Sequence, residues 1–561
     1  MYRDIIVSSI TAILVLIGMV SPLSAQRISG IINSYAKVTS FDACSKKITV
    51  LNATGFRSGE KALLIQMQGA DADTSQSPTF GTVTAYNDAG NFEFVKIKSI
   101  RDNEIEFEFV PLFNYDVQGN VQLVTVPSYR NTVFVNGLLT ARPWDGATGG
   151  VLVFETTAAL DLDVGSIDVS GLGFRGGLTN NGSRNIFNVA TYYNSASQID
   201  SGAAKGEGIV RALLGKEHGR GSLANGGGGG NGHNAGGGGG ANGGAGGVGG
   251  KEYHNNPLSA IENGGLGGKV PEWNRNNTII TPRLFMGGGG GAGQMNNNVG
   301  SAGARGGGII IIRAKNIVGR NKVIKSNGAS QTAVSLNDGG GGGGAGGSIF
   351  LDVDQILSAQ GFTIQVNGGA GGNVNTGTNH GAGGGGGGGV VFINDQQFQD
   401  KITLELQGGK NGVNIANNNS TLAKEGLNGQ PVFGARIPES AAAELSIGTL
   451  KNEIICKGSS RQIGAPATGG RQPYTYDWTP KTFLDNPTAA QPTTMPEIAM
   501  RYTVIVTDAA GCKDTAVVSV NLFSLPEIEL ADTVNVCLGN SQRIEAKGIG
   551  KFRWTPTNDL Q

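Results

Sequence analysis

Between residues 339 and 408, runs of bare glycine alternate with short apolar segments in a fixed register, and any fold for this chain must house both. Four segments of equal length, 150–171, 307–328, 347–368 and 387–408, begin and end on glycine. The third and fourth positions after the first glycine are apolar in every copy: Val153 and Phe154, Ile310 and Ile311, Phe350 and Leu351, Val390 and Val391. Towards the end, Ile167, Ile324, Ile364 or Leu404 is followed two residues later by Val169, Ser326, Val366 or Leu406. Asp168, Lys325, Gln365 or Glu405 stands between, and that period of two marks a half-buried strand. Only Ser326 breaks the apolar row. The last three copies start 40 residues apart, the period of a repeat architecture, and an insert at 172–306 separates the first.

Glycine supplies 95 of the 561 residues, far above its usual share of about 7%. Collagen is excluded, because it needs strict Gly-X-Y with abundant proline, and 339–347 contains none. Two readings of the runs remain. They are flexible linkers, or they are extended polyglycine helices with three residues per turn, packed side by side so that backbone groups satisfy one another. The strict register of the flanking strands favours the packed form. In composition and arrangement the region resembles the glycine-rich extracellular domain of certain receptor kinases and the glycine-rich tips of some phage tail adhesins. That resemblance implies a binding role.

Arg3, an apolar stretch over 5–20 and Leu23-Ser24-Ala25 before Gln26 predict a secretory signal peptide at 1–25, and hence an exported chain. No later run of about 18 apolar residues predicts a membrane span. With 43 basic and 43 acidic side chains the chain has no net charge, which argues against nucleic acid as a partner. Short strand-like segments separated by turn residues make 26–144 an all-β domain, a barrel or a sandwich. Its last strand, over 133–137, ends as the repeats do and reads as a half-copy leading into them. Residues 145–437 form the glycine-rich β-repeat domain, and the insert within it has weak strand signals.

Tyr192, Tyr193, Tyr253 and Trp273 lie in the insert among glycine and asparagine. Exposed aromatics on loops beside a rigid scaffold suit a glycan or surface contact, and plugging the ends of a glycine bundle is the alternative. His218, His233, His254 and His380 have no partner at metal-ligand spacing. Asp161, Asp163, Asp168, Asp352 and Asp354 invite a calcium reading, against a solvated strand face. No residue is placed to be catalytic, and no cofactor is expected beyond such calcium.

The glycine runs stop near Pro438. About seven short strands in 438–524 suit an immunoglobulin-like sandwich around Trp478, with Cys456 and Cys512 as disulfide partners in an exported chain. Cys537-Leu538-Gly539 and Trp554-Thr555-Pro556 open a second unit, 525–561, which reads as truncated. Cys44 is expected to be a buried free thiol.

The cysteine-glycine opening, the GGRQPYTYDWTP centre at 469–480 and the YTVIVTDAAGC close at 502–512 resemble the PKD-like or Ig-like modules of large adhesins exported by the type IX secretion system of gliding bacteria. Residues 143–154 and 167–177 resemble the amino-terminal region of such proteins. The resemblance implies a secreted, non-catalytic surface adhesin that contacts extracellular surfaces, glycans or neighbouring cells and uses the secretion machinery. A self-associating, homo-oligomeric filament subunit is the alternative, and a secreted glycan-active β-solenoid enzyme ranks behind both.

Overall fold

The computed structural model of the chain describes residues 26–182, 190–194, 202–253, 262–274, 282–357, 361–523, 526–558 and 560. The expected signal peptide and His254 lie outside these residues. The chain divides into two compact units, Met1–Ala441 and Ala442–Gln561. The all-β expectation holds: the described residues form strands, turns and two short 3-10 turns, with no α-helix among them.

Eleven strands precede the repeats. They are β1 (Gln26–Ile31), β2 (Tyr35–Phe41), β3 (Lys47–Val50), β4 (Lys61–Gln66), β5 (Asp71–Ala72), β6 (Val83–Ala85), β7 (Phe92–Arg101), β8 (Glu104–Phe107), β9 (Val121–Val126), β10 (Ser128–Tyr129) and β11 (Val133–Thr140). Six of them close a barrel in the order β2-β3-β8-β7-β4-β9. β4 is buried on both sides because alternate residues serve two cores. Ala62 and Leu64 fill the barrel, while Leu63 and Ile65 face outward into the core shared with the repeats.

The repeats add β12 (Val151–Asp161), β13 (Ser166–Asp168), β14 (Ile309–Val318), β15 (Val323–Lys325), β16 (Ser348–Ile356), β17 (Phe362–Gln365), β18 (Val390–Ile393) and β19 (Ile402–Glu405), followed by β20 (Gln430–Phe433). β11 pairs with both β12 and β13 and so starts two parallel rows, β12-β14-β16-β18-β20 and β13-β15-β17-β19. Each repeat gives one strand to each row. The sheet is therefore a coil folded over an apolar interior that includes Leu152, Ile310, Ile349 and Val391 from one row and Ile167, Ile324 and Ile364 from the other.

In the second row the sequence register is kept: Ile324, Ile364 and Leu404 are direct partners. In the first row it slips, because Ile311 pairs with Phe350 and Phe350 with Phe392, steps of 39 and 42 residues. The slip sets Val153, Ile311, Phe350 and Phe392 on one face, against the barrel, where Phe92 meets Phe350 edge-on at 5.8 Å. Ser326, the break in the apolar row, is buried and donates its hydroxyl to the Gly308 carbonyl at 2.8 Å. A side-chain ladder runs alongside. Ser170 Oγ accepts from Asn327 N, Asn327 Oδ1 from Asn367 N, and Asn367 Oδ1 from Gln407 N.

Described glycines of the insert and of the repeats bundle together, and run 236–241 lies at the centre. Its N–H groups donate in turn to Gly250, Gly340, Gly228, Gly247, Gly343 and Asn225. Every third donor thus returns to the same neighbouring run. The carbonyls of 236–241 behave alike, accepting from Gly265, Gly384, Gly291, Gly268, Gly387 and Gly288. One run is held by six others, each of which it meets again after three residues.

The second unit contains β21 (Glu453–Ile455), β22 (Arg461–Gln462), β23 (Thr475–Thr479), β24 (Thr493–Thr494), β25 (Met500–Thr507), β26 (Lys513–Leu522), β27 (Ile528–Glu529) and β28 (Lys547–Gly548). β21-β26-β25-β23 form its main sheet, over which Trp478 is fully buried with its indole N–H on the Ala489 carbonyl. The expected Cys456–Cys512 bond is not formed: Cys512 is disulfide-bonded, and Cys456 is a free, exposed thiol. Parallel pairing sets Ile455 beside Leu522, whereas Cys512 precedes the other end of the ten-residue β26. The cysteines are about 30 Å apart along that strand, against the 7 Å or so between Cα atoms that a disulfide tolerates. Cys44, expected to be free, is disulfide-bonded, and Cys537 is free and exposed.

Candidate functional site

Gln68 follows β4 and Asn120 precedes β9, so both stand at the same end of the barrel. Residues 203–221 of the insert run past that end. Gln68 Nε2 donates to the Gly208 carbonyl at 2.6 Å, Gly69 N donates to the Ile209 carbonyl, and Asn225 Oδ1 accepts from Ile209 N. Between the two segments opens a cleft of about 610 Å³.

Two acids and four bases line it. The Glu207 carboxylate is fully engaged, accepting from Arg175 N, Nε and a terminal guanidinium nitrogen, and from the Trp144 indole. Lys205 is buried, and its amino group donates to the carbonyls of Tyr192, Gly219 and Gly221 at 2.7–2.8 Å, 4.9 Å from the Phe80 ring centre. Burial pushes its pKa well down. Three carbonyl acceptors nevertheless call for three N–H groups, which only the ammonium supplies. No carboxylate pairs with it among the described residues.

Arg211 and Glu217 also line the cleft, and neither side chain has a hydrogen-bond or ion-pair partner among the described residues. His218 beside them is pushed below the ordinary histidine range by burial, with Glu217 opposing and Lys205 assisting. Val210 and Leu223 supply apolar wall.

The four aromatics singled out in the sequence do not meet in one site. Tyr192 and Tyr193 are half-buried together, their amides donating to Gln76 Oε1, with Arg220 over one ring and Lys216 and Phe80 against the other. Tyr253 is half-buried between His233 and His380, at 5.5 and 5.3 Å. Trp273 is 8% exposed and belongs to the core between barrel and repeats. The acids considered for calcium are dispersed. Asp161 pairs with Arg320, Asp163 with Arg27, and Asp352 with Arg313 and Arg436. Among the described residues no group of three or more His, Cys, Asp or Glu side chains is placed to hold a metal.

Apart from His218, which was weighed only as a metal or acid–base candidate, the cleft residues escaped the sequence reading because they carry no motif. Their one signal is the concentration of charge over 205–220 in an insert otherwise rich in glycine and asparagine.

No family model matches the chain, and no curated protein matches it. Among solved structures it is similar, at 10% identity, to the tailspike protein gp49 from Pseudomonas phage LKA1, with a TM-score of 0.14 over 87% of this chain and 82% of that one. A second is the gp54 tailspike of Acinetobacter baumannii bacteriophage AP22 in complex with A. baumannii capsular saccharide, also at 10% identity, with a TM-score of 0.13 over 92% and 76%. A third is the tailspike gp61 of Pseudomonas phage phi297, at 10% identity, with a TM-score of 0.14 over 84% and 81%.

The adhesin expectation is corrected. The strands coil into a parallel solenoid, and the aromatics read as a surface contact are engaged within the fold, Trp273 in its core and Tyr192 and Tyr193 packed against it.

Proposed function

We propose that this chain is a β-solenoid protein that acts on glycans by taking a segment of polysaccharide into the cleft between the barrel and residues 203–221. The observation that carries the reading is the cleft itself. Its volume of about 610 Å³ combines apolar wall at Val210 and Leu223 with the polar ends of Arg211 and Glu217, which have no partner among the described residues. A sugar ring has apolar faces and a rim of hydroxyls that donate and accept, which such a surface complements. Turnover is not part of the proposal. Glycoside hydrolysis commonly uses two carboxylates, and Glu207 is tied to Arg175 and Trp144, leaving Glu217 as the free one among the described cleft residues.

The finer features fit the same reading. The three-residue return of hydrogen bonds in run 236–241 is the geometry of polyglycine II helices, which would make the bundle a stiff mount for the cleft. Residues 438–524, of which 442 onward belong to the second unit, are read as a PKD-like or Ig-like module. The amino-terminal segment favours a secreted protein at the outer cell surface, and the module resemblance favours the type IX route.

Calorimetric titration of the purified chain against oligosaccharides, with a parallel assay for new reducing ends, tests the proposal. Saturable binding that Glu217→Ala and Arg211→Ala each weaken about tenfold, at unchanged thermal stability, is the expected result. Parent-like binding by both variants would remove the cleft from the function.

A further inference from the structure

The charges around the cleft do not cancel. Arg175 and Glu207 neutralise each other, burial lowers the His218 pKa, and Arg211 and Glu217 are opposite in sign with no hydrogen-bond or ion-pair partner among the described residues. What remains is the Lys205 ammonium, buried, bound to three backbone carbonyls and without a carboxylate partner among the described residues. A buried, uncompensated cation beside a cleft projects a positive potential into it, because little water intervenes to screen the charge.

Arg211 adds a planar fork of donors matched to a carboxylate, and Glu217 is acceptor-only, matched to hydroxyl donors. A ligand that satisfies both at once carries a carboxylate and neighbouring hydroxyls on the same ring. We infer that the cleft selects an acidic saccharide of the uronic-acid class, its carboxylate on Arg211 in the field of Lys205 and its hydroxyls donating to Glu217. The inference rests on the proposed glycan-binding role and adds the chemical class of the sugar.

The experiment compares an oligogalacturonate with a neutral glucan oligomer of equal length, titrated into the full chain at low and at high salt. The acidic oligomer is expected to bind at least tenfold more tightly at low salt, with the advantage shrinking as salt rises. Arg211→Gln is expected to abolish that preference, so that the two oligomers bind within a factor of about two of each other. Equal binding of the two oligomers by the parent protein, or an acid preference that survives Arg211→Gln, overturns the inference while leaving the cleft as a glycan site. Binding of neither oligomer overturns both.

Discussion

Gly239 has no room for a methyl group: a Cβ there would overlap the carbonyl oxygen of Gly385 in the adjoining run. Backbone on both sides cannot yield as a flexible side chain would. Gly239→Ala is expected to cost about 3 kcal/mol, the upper end for overpacking, and to show as a lowered midpoint of thermal unfolding. Gly377, also in a glycine-rich stretch, meets nothing within 4 Å, so Gly377→Ala is expected to shift stability by less than about 0.5 kcal/mol. Equal effects of the two would mean that the bundle is not close-packed. A second residue-scale effect lies at its rim. His380 is 2% exposed, with Tyr253 against its ring, Asn234 Nδ2 facing its Nδ1, and His233 adding like charge; Asp338 acts on His233. Burial, aided by His233, lowers its pKa to about 4 from an ordinary 6.5. Between those values the unfolded chain binds the proton and the folded chain does not. The stabilisation is therefore complete above pH 6.5 and declines as pH falls towards 4, by about 3 kcal/mol in all. Denaturant unfolding at pH 7 and pH 4.5 should show this loss, and His380→Gln should flatten it.

Residues 437–440 strap the end of the repeat region to the barrel. Pro438 and Ser440 exchange backbone hydrogen bonds with Phe94 of β7, and Glu439 reaches both Lys61 of β4 and Arg313 of β14. Arg313 also meets Asp352 and lies over the Phe94 ring at 4.8 Å. Arg313→Ala should lower stability by about 2 kcal/mol, between the small worth of exposed pairs and the larger cost of stranding a buried one, since Lys61 and Arg436 remain for the acids. A chemical-denaturation midpoint unchanged from the parent would show that the strap does not depend on it. The second strands of the repeats were legible in the sequence, because Asp168, Lys325, Gln365 and Glu405 mark the polar face between apolar neighbours. The first strands were legible as strands but not in register. Both of their faces are buried, so Ile309 to Ile312 carry no polarity by which a shift of one residue could be detected. The insert was least legible, since glycines joined through backbone groups leave no side-chain period to read. The cleft joins Gln68 and Asn120 of the barrel to Arg211 and Glu217 of the insert, a meeting no local pattern announces.

At the scale of the whole molecule, the cysteines report directly on the fold. Alkylation without reductant is expected to label Cys456 and Cys537, and Cys44 and Cys512 only after reduction, as read by peptide mass. Labelling of Cys44 and Cys512 without reductant would contradict the fold. The bundle sets a different kind of constraint. Run 236–241 comes back to each neighbour after three residues, so one inserted or deleted glycine turns everything beyond it by about 120° and aims each N–H at the wrong run. A change of three restores the aim and, on the polyglycine II reading proposed above, lengthens the run by one turn. Nine-nucleotide insertions and deletions in the gene should therefore pass where those of three or six fail, and the lengths of glycine runs should drift in steps of three.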